Sequence, residues 1–150
     1  MTVYDVVETP IGPCAVALRE GKVIRVRLGA SIGLSARRQR LPKVRAWLSA
    51  WFAGKDPKVP IETEGPPFYR QVYAVVRSIP AGETLSYGEV AQAAGCPGAA
   101  RAVGTAMKRN PVCLFIPCHR VVGSSGLGGY SGAGGTETKR RLLAREGVKL

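Results

Sequence analysis

Cys118 and His119 stand side by side in Ile116-Pro117-Cys118-His119-Arg120-Val121-Val122, and His119 is the one histidine among 150 residues. A cysteine attacks an electrophile as its thiolate, and a neighbouring imidazole or cation helps to make one. Pro117 fixes its own φ and pushes Ile116 towards an extended conformation. The apolar run from Val112 to Ile116 therefore predicts a strand ending in a turn that presents Cys118. Val121 and Val122 anchor the far side. Taken by itself, a Cys-His pair recurs by chance as a buried thiol beside a surface imidazole. Its surroundings give the reactive reading its weight.

Other chemistries find little support. Cys14, Cys96, Cys113 and Cys118 lack Cys-x-x-Cys spacing, and a single histidine leaves no zinc-site pattern. No metal and no cofactor are expected. Residues 123–135 hold seven glycines, as in a loop that needs positive φ or close backbone approach. This is no dinucleotide fingerprint, because it does not open a helix after a strand with the required spacing. It reads as one wall of a pocket or a lid, with Tyr130 its one large side chain. The formal net charge of +12 points to a polyanionic partner. Residues 1–60 carry 11 basic and 4 acidic side chains (+7) and residues 61–150 carry 11 and 6 (+5), so the partner meets a folded face, not a tail. No apolar run approaches the roughly 20 residues of a membrane helix, and the first residues show no secretory signal. An intracellular protein with a free thiol is expected.

The elements that must position the thiol follow from periodicity. Residues 3–8, 14–19 and 23–28 read as three strands of an antiparallel meander, with turns at 9–13 and 20–22. Residues 29–41 read as loop carrying Arg37, Arg38 and Arg40. Val44, Trp47, Leu48, Trp51 and Phe52 have helical spacing, and Gly54 ends that helix. Four prolines in residues 55–67 mark a linker, with a domain boundary near residue 60. A second helix starts at Pro67 and buries Phe68, Val72, Val75, Val76 and Ile79. Ser86-Tyr87-Gly88-Glu89 is a capping box for a helix that stops at Gly95. Pro97-Gly98 opens another, from Ala99 to about Arg109. Two short helices with a tight turn describe a helix-turn-helix. Its second helix shows Arg101, Lys108 and Arg109 on a surface of Ala, Gly and Thr, which suits close approach to nucleic acid. A last helix, capped by Thr136, runs from Glu137 to Arg145, with Lys139, Arg140, Arg141 and Arg145 read as a solvated face. The fold class is α+β: a small N-terminal sheet-plus-helix domain (1–60) and a mainly helical C-terminal domain (61–150) with the helix-turn-helix and the cysteine.

At this point the chain resembles a family. Ile-Pro-Cys118-His119-Arg120-Val-Val is similar to the active-site signature of the O6-alkylguanine-DNA alkyltransferases. Ser86-Tyr87-Gly88-Glu89-Val90-Ala91, Ala100-Arg101-Ala102-Val103-Gly104, Arg109-Asn110-Pro111-Val112, Gly129-Tyr130-Ser131-Gly132 and Glu146-Gly147 follow in the family's order and spacing, over roughly residues 66–150. The resemblance implies a ribonuclease H-like N-terminal domain. It implies DNA repair by direct reversal: the duplex is bound through its minor groove, the damaged guanine is flipped out, and its O6-alkyl group moves irreversibly to Cys118. O4-alkylthymine is implied as a second substrate.

Carried over by position, Cys118 accepts the alkyl group. His119 deprotonates it through a water and Glu146 orients the imidazole. Asn110 holds the turn and Tyr87 meets the leaving base. Arg101 enters the duplex, with Ala100, Ala102, Gly104, Thr105, Lys108 and Tyr87 on the DNA-facing surface. Met107, Arg120, Val121, Tyr130 and Ser131 form the base pocket. The resemblance also implies a monomer, cooperativity on DNA being open, located in the cytoplasm with the nucleoid in a prokaryote or in the nucleus in a eukaryote. The alternative is a lesion-binding protein without chemistry, although alkyltransferase-like proteins of that kind lack the cysteine. A turnover hydrolase and a sequence-specific regulator are weaker alternatives: the first has no discernible oxyanion hole, and the second expects major-groove readout.

Overall fold

Two-residue turns fold the first 28 residues into a meander. The computed structural model describes residues 1–130 and 134–149. They form two units, one of Met1–Thr63 with Pro111–Phe115, the other of Glu64–Asn110 with Ile116–Leu150. In the first, β1 (Thr2–Thr9), β2 (Gly12–Arg19) and β3 (Lys22–Leu28) pair antiparallel. Glu20 and Gly21 join β2 to β3 with φ of 53° and 78°, the doubly left-handed geometry that matches strand twist in a tight hairpin. The meander does not stay purely antiparallel. Arg37–Arg38, expected as loop, form β4, which pairs parallel with β1, so the order is β3-β2-β1-β4. A two-residue edge strand made of arginines has no apolar alternation to reveal it.

Strand β2 is buried on both faces. Ala15 and Ala17 pack with Ile32, Tyr4, Val6, Ile24 and Leu34. Cys14 and Val16 are fully buried as well, which explains the weak alternation of this strand in sequence. Helix α1 (Pro42–Phe52) packs against β1 and buries Val44 and Leu48. Trp47, Trp51 and Phe52 are half-buried. Asp5 ties α1 to the sheet: its carboxylate accepts from the Leu41 amide (2.9 Å), the Val6 amide (2.8 Å) and Arg45 Nε (2.8 Å). Burial raises the Asp5 pKa, but these bonds and the Arg45 charge outweigh it and hold the group below its usual range.

The outer edge of β3 is covered by the same unit's irregular segments. Val23 N–H donates to Pro60 O and Glu62 N–H to Val23 O, while Val26 N–H donates to Pro111 O. The strand expected over 112–116 is therefore a single bridge, Val26 to Val112. The chain turns directly after it, with Leu114 at φ 71°. An apolar run of five cannot be told from a buried turn by periodicity.

The second unit follows the sequence more closely. Helix α2 (Pro67–Arg77) buries Val72, Tyr73 and Val76, with Ile79 beyond its end, whereas Phe68 and Val75 are half-buried. The Tyr73 hydroxyl donates to Ala106 O at 2.9 Å. Strand β5 (Leu85–Ser86) leads into α3 (Tyr87–Ala93), whose reciprocal Ser86–Glu89 capping box is formed. Helix α4 (Ala100–Lys108) buries Val103, Ala106 and Met107. A 3-10 turn (Cys118–Arg120) runs into β6 (Val121–Val122), parallel to β5. Helix α5 (Gly135–Arg145) begins one residue before Thr136, with Gly134 at its cap and Thr138 buried. Among the described residues no helix is long and apolar enough to cross a membrane.

Asp5→Asn should lower stability by about 1.5–3 kcal/mol, because a buried charge-assisted network loses its anion. Urea denaturation of the two proteins measures the difference.

Candidate active site

Cys118 begins the 3-10 turn with its amide donating to Ile116 O at 2.7 Å. Asn110 Nδ2 donates to that same carbonyl at 2.9 Å, and the Asn110 side chain also hydrogen-bonds the thiol. The turn and the nucleophile thus share one anchor. Burial pushes the Cys118 thiol above its ordinary pKa, while Asn110, the Lys139 charge and its own amide pull the other way without winning. The resting group is a thiol.

His119 is fully buried. Its Nε2 lies 3.2 Å from Glu146 Oε2. Burial lowers the His119 pKa, and the adjoining carboxylate only partly restores it, so the ring is neutral at pH 7. A neutral ring that donates Nε2–H to Glu146 leaves Nδ1 as its acceptor. Arg120 completes the cluster. Its Nε donates to Glu146 Oε1 at 3.0 Å and its Nη1 to Ile79 O at 2.8 Å. Burial raises the Glu146 pKa, yet the hydrogen bonds and charges of His119 and Arg120 overcome this and bring it down to about 2.

In front of the thiol lies a cavity of about 270 Å³ lined by Tyr87, Gly104, Met107, Lys108, Cys118, Gly129 and Tyr130. Tyr87 is half-buried there. Burial raises its pKa, and the Gly129 backbone, which favours the ionised oxygen, offsets part of the rise.

The structure brings Tyr87, Met107, Cys118 and Tyr130 to this cavity, together with Gly104 and Lys108 from the surface expected to face DNA. Arg101, Ala102, Thr105 and Lys108 are exposed on α4, and Ala100 and Gly104 are half-buried. Arg120 and Val121 are not among the lining residues: the guanidinium is taken up by Glu146 and Ile79, and Val121 is fully buried. Ser131 lies outside the described residues. Lys139, read from sequence as solvated, is fully buried. Its Nζ donates to Val121 O at 2.6 Å and to Gly129 O at 2.9 Å, and burial lowers its pKa to about 8. The signal was its place on the stripe with Leu142 and Leu143, three and four residues on, both buried.

Residues 67–148 match the family model described as 6-O-methylguanine DNA methyltransferase, DNA binding domain. The methylated-DNA–protein-cysteine methyltransferase of Mycolicibacterium paratuberculosis is 41% identical, over 97% of this chain and 93% of that one. The crystal structure of Mycobacterium tuberculosis OGT in complex with DNA superposes with a TM-score of 0.86 at 38% identity, covering 96% of this chain and 92% of that one. Schizosaccharomyces pombe Atl1, in complex with damaged DNA containing O6-carboxymethylguanine, gives 0.50 at 38% identity, over 57% of this chain and 81% of that one.

Two outcomes test the electrostatics. The depressed Glu146 carboxyl contributes stability that is complete above its ordinary value of 4.5 and is lost as pH falls to about 2. Thermal melts between pH 2 and pH 6 should therefore show a flatter acid limb for Glu146→Gln than for the parent. Asn110→Ala removes a bond that favours the thiolate, so iodoacetamide labelling of Cys118 should slow at fixed pH and its titration move higher, read by intact mass.

Proposed function

The chain belongs to the 6-O-methylguanine DNA methyltransferase family, and from that premise we propose how its residues recognise and repair O6-alkylguanine. It is a methylated-DNA–protein-cysteine methyltransferase: it binds DNA and repairs it by direct reversal, moving an alkyl group to its own cysteine once per molecule. The observation that carries the residue assignment is the placing of the Cys118 thiol and the Tyr87 phenol on one cavity, with buried His119 next in the chain and hydrogen-bonded to Glu146.

The duplex is held through its minor groove by α3 and α4. Non-specific attraction of the exposed basic residues to phosphate supplies affinity. The small side chains Ala102 and Gly104 let α4 approach closely, and the exposed Arg101 occupies the gap left by the extruded base. Flipping costs a few kcal/mol, less for a poorly paired lesion. The cavity sits near the lower end of ligand pockets, roughly 300 Å³, a size suited to one flat base.

His119 takes the Cys118 proton through a water, and the imidazolium that forms is stabilised by the Glu146 carboxylate. The sulfur then attacks the alkyl carbon. The S–C bond forms, the C–O6 bond breaks, and the electron pair stays on guanine, where the Tyr87 hydroxyl meets it with a hydrogen bond. Nothing removes the thioether, so the molecule acts once. The same steps extend to O4-alkylthymine. The protein works as a monomer, and its bacterial relatives support a cytoplasmic location with the nucleoid.

Incubation with a duplex carrying O6-methylguanine should add one methyl mass, about 14 Da, at most once per molecule, and Cys118→Ala should add none. Tight binding of the duplex without mass gain would instead favour a lesion-binding role, as the partial likeness to Atl1 would then suggest.

A further inference from the structure

The buried ammonium of Lys139 has no part in the mechanism above, yet it bonds two backbone segments beside the site. Its Nζ holds Val121 O, which follows the active-site turn, and Gly129 O, which belongs to the cavity lining. The same nitrogen stands 5.8 Å from the centre of the Tyr87 ring, within reach of a cation–π contact. Beside it, Gly128 has φ 75°, and a Cβ built there would sit 2.9 Å from the Tyr87 hydroxyl and 3.1 Å from a ring carbon. A side chain at 128 would therefore displace the phenol. Only glycine gives this backbone both the left-handed turn and the close approach.

We propose that Lys139 is a positioning residue: by gripping the Gly129 and Val121 carbonyls it keeps the Gly128–Gly129 backbone against the Tyr87 hydroxyl, and so aims the phenolic hydrogen into the cavity. This rests on the reading of Tyr87 as the group that meets the leaving base. Bonds made and broken are those already given. Lys139 neither gives nor takes a proton. The Gly129 backbone's preference for the ionised phenol oxygen agrees with this placement, since an N–H directed at that oxygen leaves the O–H hydrogen to point elsewhere.

The test compares two reactions of one thiol in the full-length protein. Methyl transfer from an O6-methylguanine duplex needs the leaving base to be stabilised; alkylation by iodoacetamide does not. Lys139→Met should slow single-turnover methyl transfer about tenfold or more, as loss of a positioned proton donor does. Because the Lys139 charge also favours the Cys118 thiolate, labelling by iodoacetamide should fall by that contribution alone. The ratio of methyl transfer to labelling at one pH should still drop about tenfold, while duplex affinity stays within about twofold of the parent. Gly128→Ala should give the same split without touching the lysine. In a Tyr87→Phe background, either change should lower that ratio by less than about twofold, because members of one unit are not additive. A fall in iodoacetamide labelling as large as the fall in methyl transfer, in either variant, overturns the proposal, by placing the whole effect on the thiol or on the fold. Full additivity with Tyr87→Phe overturns it too. If Tyr87→Phe alone leaves methyl transfer unchanged, the role of Tyr87 fails and the relay with it. No methyl transfer by the parent protein sinks the functional reading itself.

Discussion

Everything at the site hangs on the buried carboxylate of Glu146. It follows the last turn of α5, where the helix dipole presents partial negative charge and disfavours an anion. Burial disfavours it further. Two arginine bonds and the imidazole reverse both effects. Arg120 is in turn fixed by Ile79 O beyond α2. One carboxylate thus joins the end of α5, the active-site turn and the end of α2. Stability by itself gives little reason to retain such a cluster, since apolar packing does the same work at lower desolvation cost. What the cluster adds is an imidazole whose ring orientation and tautomer are set.

Burial acts on the other titratable groups in one direction. It raises Cys118, lowers His119 and lowers Lys139, each time favouring the neutral form. The resting thiol is accordingly a poor nucleophile. For a protein that reacts once, this is protective: a free thiolate would be consumed by any passing electrophile. In the reaction proposed, reactivity waits for a base that fills the cavity and excludes water, when the neighbouring fixed charges act most strongly.

The second unit was largely legible in sequence because its signals are local. The Ser86–Glu89 box, Pro67 at a first turn and Gly95 past a last turn each fix a boundary by their own chemistry. Cys118, Tyr87 and Tyr130 were legible as a group through motif order. The misses share a different cause. Lys139 was read by side-chain type as solvated, while its position on the apolar stripe of α5 put it inside. Tyr73 was absent from the buried face expected for α2, and its hydroxyl is satisfied by Ala106 thirty-three residues on. Strand β4 and the turn at 112–115 depend on pairing with distant backbone, about which local periodicity carries no information.

Asn110 and Ile116, both within one unit, flank the turn at 111–115. Residues 111–115 belong to the sheet unit, where Pro111 and Val112 pair with Val26, whereas Asn110 and Ile116 on either side belong to the helical unit. The ends of this excursion must meet again for the chain to resume its path. The Asn110 amide closes them by donating to Ile116 O, the same carbonyl that receives the Cys118 amide. An aspartate in place of Asn110 would lack the donor, and a glutamine would reach too far. The asparagine therefore serves geometry and chemistry in one contact: it shuts the loop, and from that closed position its side chain favours the thiolate over the thiol.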